Sequence, residues 1–183
     1  EGAEMSSEAV LEAAMTGRGF VTTGPALLFQ VGENAKPGDV VSAGQQDWSA
    51  TLAGTNDIDV VELIVNGVVI EKLTGIKAGE TKTLKGKVSL PKGGWVAIRA
   101  YASELKEDNW PSMHARPFAH SSPIWIETIG SIDPNSSKAA AADLIRAIDA
   151  SARIARKAYG DIEMNRMMTR FEEARKKLRG MME

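Results

Sequence analysis

The sequence predicts a mainly β protein: an immunoglobulin-like β-sandwich of about seven strands, with a short N-terminal helix and a C-terminal helical hairpin. Three observations carry this. Between residues 20 and 130, short runs rich in Val, Ile, Leu and Thr alternate with Gly, Pro, Asn and Asp. One run, "VVELIVNGVVIEKL", is centred on Asn66-Gly67, the pair a two-residue type I′ hairpin wants because both turn positions need positive φ. Beyond Asp133-Pro134 the apolar residues recur at the three- and four-residue spacing of helices.

The chain accordingly divides into residues 1–19, an N-terminal helix and junction; 20–133, the sandwich; and 134–183, the helical hairpin. In "SSEAVLEAAMT", Ser6 or Ser7 can cap a helix, and Glu8 and Glu12 favour its first turns. Val10, Leu11, Ala14 and Met15 share a face. So short a helix needs a surface to pack on. Gly17 and Gly19 end it.

Within the sandwich, the Asn66-Gly67 turn pairs Val65 with Val68, Leu63 with Ile70 and Val61 with Lys72. Glu62 then falls opposite Glu71, on a face expected to be wet. In "TKTLKGKVSL", Leu84, Gly86, Val88 and Leu90 point inward, and Thr83, Lys85, Lys87 and Ser89 outward. "GGWVAIRAY" is different. Val96, Ile98 and Ala100 form one apolar face, but the other carries Trp95, Ala97, Arg99 and Tyr101. Neither face is plainly solvated, so the second is expected to meet a partner surface or a covering loop. "PIWIETI" completes the strands.

In the tail, Asp133-Pro134 supplies a cap and a first-turn proline. Leu144, Ile145, Ile148 and Ile154 form one expected stripe. Met164, Met167, Met168, Phe171, Ala174 and Leu178 form another, beyond a turn at Gly160-Asp161. A short connection favours antiparallel neighbours.

Composition excludes several chemistries. With no cysteine among 183 residues there is no disulfide, thiolate metal site or cysteine nucleophile. No apolar run approaches the roughly 18 residues of a membrane span. The net charge of -2 gives no nucleic-acid footprint. Residues 134–183 hold 11 Lys and Arg against 7 Asp and Glu, a net +4, which reads as a solvated helix surface. The chain opens at Glu1 with no initiator Met and no signal peptide, as a piece of a longer protein would, and the compartment stays open.

No motif assembles a catalytic or metal site. "GRGFVTTGP" (17–25) lacks the Lys and the strand–loop–helix order of a phosphate loop, and neither Thr22 nor Thr23 has a base nearby in sequence. His114 and His120, the two histidines, could be drawn together with Glu104, Glu107 and Asp108, but their spacing fits no recognised ligand set. His120 reads as a hydrogen-bonded residue at a strand edge or as a group reaching toward a neighbouring domain. The tryptophans Trp48, Trp95, Trp110 and Trp125 suit either a core or an exposed sugar-stacking surface, for which Trp110 is the best placed.

The stretch "GRGFVTTGPALLFQV" with "KPGDVV", followed in order by "VELIVNGVVIEKL", "GGWVAIRA", "AHSSPIWI" and a closing helical pair, resembles the region after the catalytic domain in CehA/McbA-type metallohydrolases, relatives of the PHP-domain hydrolases. The resemblance implies a non-catalytic accessory domain, without metal or cofactor of its own. A PHP-like catalytic domain upstream of Glu1 would carry the divalent metal and its histidine and carboxylate ligands. "GRGFVTTGP" would be the junction, with Arg18 free to pair across it. Arg18, Trp95, Arg99, Tyr101, Trp110 and His120 are the candidates for the inter-domain or ligand surface. The expected partner is that domain of the same polypeptide, with no nucleic acid and no membrane span; a homo-oligomer is compatible. The alternative is a stand-alone binding module for carbohydrate or protein.

Overall fold

A computed structural model describes residues 6–105, 115–159 and 161–183. The chain separates into two compact units, Glu1–Ser131 and Ile132–Glu183. The first is a β-sandwich preceded by helix α1 (Ser7–Met15). Ser6 caps that helix, its hydroxyl accepting from the Ala9 N–H at 3.1 Å. None of the α1 residues is buried: Val10, Leu11 and Met15 are exposed, so the surface this helix needs is not supplied by the described residues of this chain.

The ten strands are β1 (Phe20–Thr22), β2 (Ala26–Val31), β3 (Val40–Val41), β4 (Gly44–Ala53), β5 (Ile58–Val65), β6 (Val68–Ile76), β7 (Thr81–Leu90), β8 (Trp95–Tyr101), β9 (Phe118–Ser121) and β10 (Ile124–Ile126). Sheet B is β2-β4-β7, antiparallel throughout. Sheet A holds the other seven. Its centre is β8, which pairs with β5 on one edge and with β9 and β10 in succession on the other. β6 lies outside β5, β1 outside β9, and β3 runs parallel to β10.

β9 and β10 are one strand path broken at Ser122-Pro123, because Pro123 has no N–H to give a ladder. At the break the Ser121 hydroxyl accepts from the Ile98 N–H at 3.1 Å. β1 and β3, together with this break, carry the strand number from the expected seven or so to ten.

The core lies between the sheets. Leu27, Phe29, Trp48, Leu52 and Val88 from sheet B meet Val61, Leu63, Val96, Ile98 and Ile126 from sheet A. The "TKTLKGKVSL" strand alternates as expected: Val88 and Leu90 are buried, Leu84 packs against the core, and Lys82, Lys85 and Lys87 are exposed. Trp48 lies directly opposite Gly86, and a Cβ there would come within 2.7 Å of the Trp48 Nε1.

Asn66 (φ 52) and Gly67 (φ 81) form the β5–β6 turn, with Val65 opposite Val68. The expected register then fails. A bulge between Leu63 and Ile64 shifts the partners, so that Leu63 meets Glu71 and Glu62 meets Lys72. Glu62 is therefore opposite a cation, not Glu71, and it is 5% exposed rather than wet.

The second unit is an α-hairpin of α2 (Pro134–Ala158) and α3 (Asp161–Gly180). Asp133 caps α2, accepting from the Ser136 N–H at 2.8 Å, with Pro134 in the first turn. The stripe of α2 that turns inward is Ala141, Ile145, Ile148, Ala152 and Ala155. Leu144 and Ile154, expected in that stripe, are 53% and 71% exposed. The small alanines let the bulkier Met164, Met167, Phe171 and Leu178 of α3 approach. Arg175, almost fully buried, gives two hydrogen bonds to Asp149 at 2.7 and 3.0 Å and one to Glu172 at 3.1 Å.

Candidate functional site

Residues directly opposite in a ladder share a face of the sheet. On the outer face of sheet A this produces a row across five strands: Lys72, Glu62, Arg99, His120 and Val21. The next row toward the C-terminal end of β8 holds Thr74, Val60, Tyr101 and Phe118. In the opposite direction lie Ile64 beside Ala97, then Trp95 beside Trp125. The second face of "GGWVAIRAY" is thus covered at Ala97, which is 1% exposed, and half-open at Trp95, Arg99 and Tyr101.

Glu62 organises this face. Its Oε2 accepts from the Arg99 Nε at 2.6 Å, and its Oε1 accepts from the Tyr101 hydroxyl at 3.0 Å. Lys72 Nζ lies 3.9 Å from Oε1. Burial pushes the Glu62 carboxyl upward, but the hydrogen bonds from Arg99 and Tyr101, with the charges of Arg99 and Lys72, hold it below the usual carboxylate range. The same carboxylate, by accepting the phenol proton, raises Tyr101 above an ordinary tyrosine, and burial adds to the rise. The Arg99 guanidinium stands 5.8 Å from the Tyr101 ring centroid, within cation–π range.

His120 and the Ser121 carbonyl are 2.6 Å apart at Nδ1. A carbonyl only accepts, so Nδ1 carries a proton there. The His120 ring lies 6.3 Å from that of Phe118. Beside this end of the face a cleft of about 470 Å³ is lined by Thr23, Arg99, Tyr101, Ala115, Arg116 and Phe118. Arg116 Nη1 donates to the Ser103 carbonyl at 3.0 Å.

Four of the six candidates, Trp95, Arg99, Tyr101 and His120, therefore share one sheet face. Arg18 does not join them. It pairs with Asp39 at 3.4 Å and lines a different groove, of about 560 Å³, with Phe20, Leu28 and Pro37 along the β2 edge. Trp110, like Glu107, Asp108 and His114, lies outside the described residues. The sequence pattern discloses neither Glu62 nor Arg116 as a member of this face and cleft. The hairpin bulge hid the first, and Arg116 follows a stretch without strand or helix periodicity. Among the described residues no group of three or more His, Asp or Glu could hold a metal ion.

This arrangement defines a β-sandwich module with an ordered aromatic and cationic face. No protein-family model matches the chain, and no curated protein matches its sequence. Among solved structures it is similar to a CARDB domain from Pyrococcus furiosus determined in solution, at 18% identity and a TM-score of 0.35 over 56% of this chain and 94% of that one. A crystal structure of that CARDB domain in complex with di-metal ions gives 18% identity and 0.32 over 58% and 96%. A lytic polysaccharide monooxygenase from Jonesia denitrificans gives 15% identity and 0.32 over 51% and 61%.

Proposed function

We propose that this chain is a non-catalytic accessory domain of a PHP-like metal-dependent hydrolase of the CehA/McbA type. It docks through the outer face of sheet A onto a catalytic domain that precedes Glu1. The observation that supports this best is the convergence of Trp95, Arg99, Tyr101 and His120 on one face, with Arg99 and Tyr101 held by a buried carboxylate. Trp, Tyr and Arg are the residues most enriched at binding hot spots. Their rotamers here are partly fixed before any partner arrives, which lowers the entropy cost of association. The divalent metal belongs to the catalytic domain, and elemental analysis of this chain is expected to find no stoichiometric zinc or manganese. One equivalent, abolished by His120→Ala, would overturn that part.

The docking test uses Trp95→Ala with Arg99→Ala. The double variant should remain folded, bind the separately supplied catalytic domain at least about tenfold more weakly, and lower hydrolysis in the full-length parent. Undiminished affinity and activity would discard docking. Weight would then pass to a stand-alone binding module for carbohydrate or protein, a reading that the cleft beside Tyr101 and Phe118 favours.

A further inference from the structure

The charges around the cleft do not balance. Among the described residues the cleft lining holds Arg99 and Arg116 and no carboxylate. Glu62 bonds Arg99 and lies near Lys72, and Asp59 accepts from the Ser103 N–H at 2.6 Å. Among the described residues Arg116 meets a carbonyl, not a carboxylate. Glu62 engages Arg99 only through Nε, which orients the guanidinium plane and leaves its Nη edge without a partner among the described residues. The Arg99 side chain is 37% exposed, so that edge can be reached. The Tyr101 hydroxyl is already committed to Glu62, and what it and Phe118 offer the cleft is ring surface.

The groove along β2 is larger but differs in kind. Its Arg18 is paired with Asp39, and its walls are mainly apolar. The buried Trp48 Nε1 has no hydrogen-bond partner among the described residues, but it lies over Gly86 in the core, and the small cleft beside it is bordered by Asp47 and Lys85, whose charges offset each other.

We propose that the cleft of Arg99, Arg116, Tyr101 and Phe118 is a binding site for a carboxylate-bearing sugar, a uronic acid. The carboxylate sits between the two guanidinium groups, which bind such anions through parallel N–H donors. The pyranose ring lies against the aromatic rings, and the Thr23 side of the cleft borders its hydroxyls. A volume of about 470 Å³ falls within the range of small-ligand pockets. Glu62 is a positioning residue here, since it touches Arg99 and Tyr101 and not the ligand. Arg99 and Tyr101 are shared with the docking face, but Arg116 is not, so Arg116→Gln tests the ligand site and Trp95→Ala tests docking, and the two can fail separately.

The test is a titration of the 183-residue chain followed by NMR, with D-glucuronate, D-glucose and acetate as probes. Glucuronate should shift the Arg99 Nε–H signal and the Tyr101 ring signals saturably, with a Kd on the order of 1 mM. Glucose should produce no saturable shift, and acetate a binding at least about tenfold weaker, because it supplies the charge without the ring. Arg116→Gln should weaken glucuronate at least about tenfold while keeping the backbone spectrum of the folded chain. Arg99→Lys, which retains charge but loses the planar fork, should weaken it as well. Absence of a saturable glucuronate shift, equal binding of glucose, or undiminished affinity in folded Arg116→Gln would each overturn the site. Acetate binding as tightly as glucuronate would overturn the sugar.

Discussion

Single residues decide the register of this fold more than their positions in a strand suggest. Asn66 takes the left-handed turn conformation, but its side chain also accepts from the Trp95 N–H at 2.8 Å while its N–H donates to the Trp95 carbonyl at 3.0 Å. It therefore ties the turn to the start of β8. At Gly67 a Cβ would touch nothing, so Gly67→Ala is expected to cost only the backbone penalty, on the order of 1 kcal/mol in a urea melt. Gly86→Ala should cost more, about 1–3 kcal/mol, because the new Cβ meets the Trp48 ring packed within the core. An equal loss for the two variants would contradict the placement of Trp48. Glu62 makes a third test. Folding lowers its pKa, so the ionised carboxylate stabilises the fold above the ordinary carboxyl value of 4.5. That contribution is lost as pH falls through the lowered value of the folded state. Glu62→Gln is expected to melt below wild type at pH 7, and the gap should narrow on acidification below about 4.5. A gap independent of pH would remove the charge from the argument.

At the scale of elements, what the sequence discloses is periodicity, and what it conceals is the shift of one residue. The alternation of β7 and the Asn-Gly turn are local properties, visible in the residues themselves. The bulge between Leu63 and Ile64 is not local. It moves Leu63 from Ile70 to Glu71 and Glu62 from Glu71 to Lys72, while the unshifted ladder with β8 sets Glu62 beside Arg99 and Ile64 beside Ala97. No residue in "VVELIVNGVVIEKL" announces it, so the outer face of sheet A is only half legible: Trp95, Arg99 and Tyr101 from their odd alternation, but not the carboxylate that holds Arg99 and Tyr101. In α2 the difference from the sequence pattern has another origin. Leu and Ile outweigh Ala in a hydrophobic pattern, yet the helix turns its alanines inward because α3 brings the larger side chains. Ala152→Leu should therefore destabilise the hairpin, by about 1–3 kcal/mol of overpacking, whereas Ile154→Gln should change stability by less than about 0.5 kcal/mol. Thermal melts followed by circular dichroism at the helix band would separate them. Similar losses for both would mean that Ile154 is a packing residue.

For the whole molecule, the division into two units sets where the chain can be cut. Among the described residues the sandwich core is drawn from residues between Leu27 and Ile126. Residues 1–131 should fold alone, with a β-type circular dichroism spectrum and one cooperative melt. Where the cut falls matters. The Ser131 hydroxyl accepts from the Gly94 N–H at 2.9 Å, and its proton can go to the Ile126 carbonyl at 2.7 Å or the Gly94 carbonyl at 2.9 Å. It thus fastens the turn before β8 to the end of β10, the two strands that place Trp95 beside Trp125. Removing Ser131 leaves the Gly94 N–H without its acceptor. Residues 1–130 should therefore be less stable than 1–131 by about 1 kcal/mol, a net value typical of one hydrogen bond. Ser131→Ala in the full chain should reproduce that loss and broaden the Trp95 and Trp125 signals in an NMR spectrum. If the two truncated chains melt together, the Ser131 clasp is not what seats β8. If 1–131 fails to fold, the sandwich depends on the helical unit, and the division into independent units is wrong.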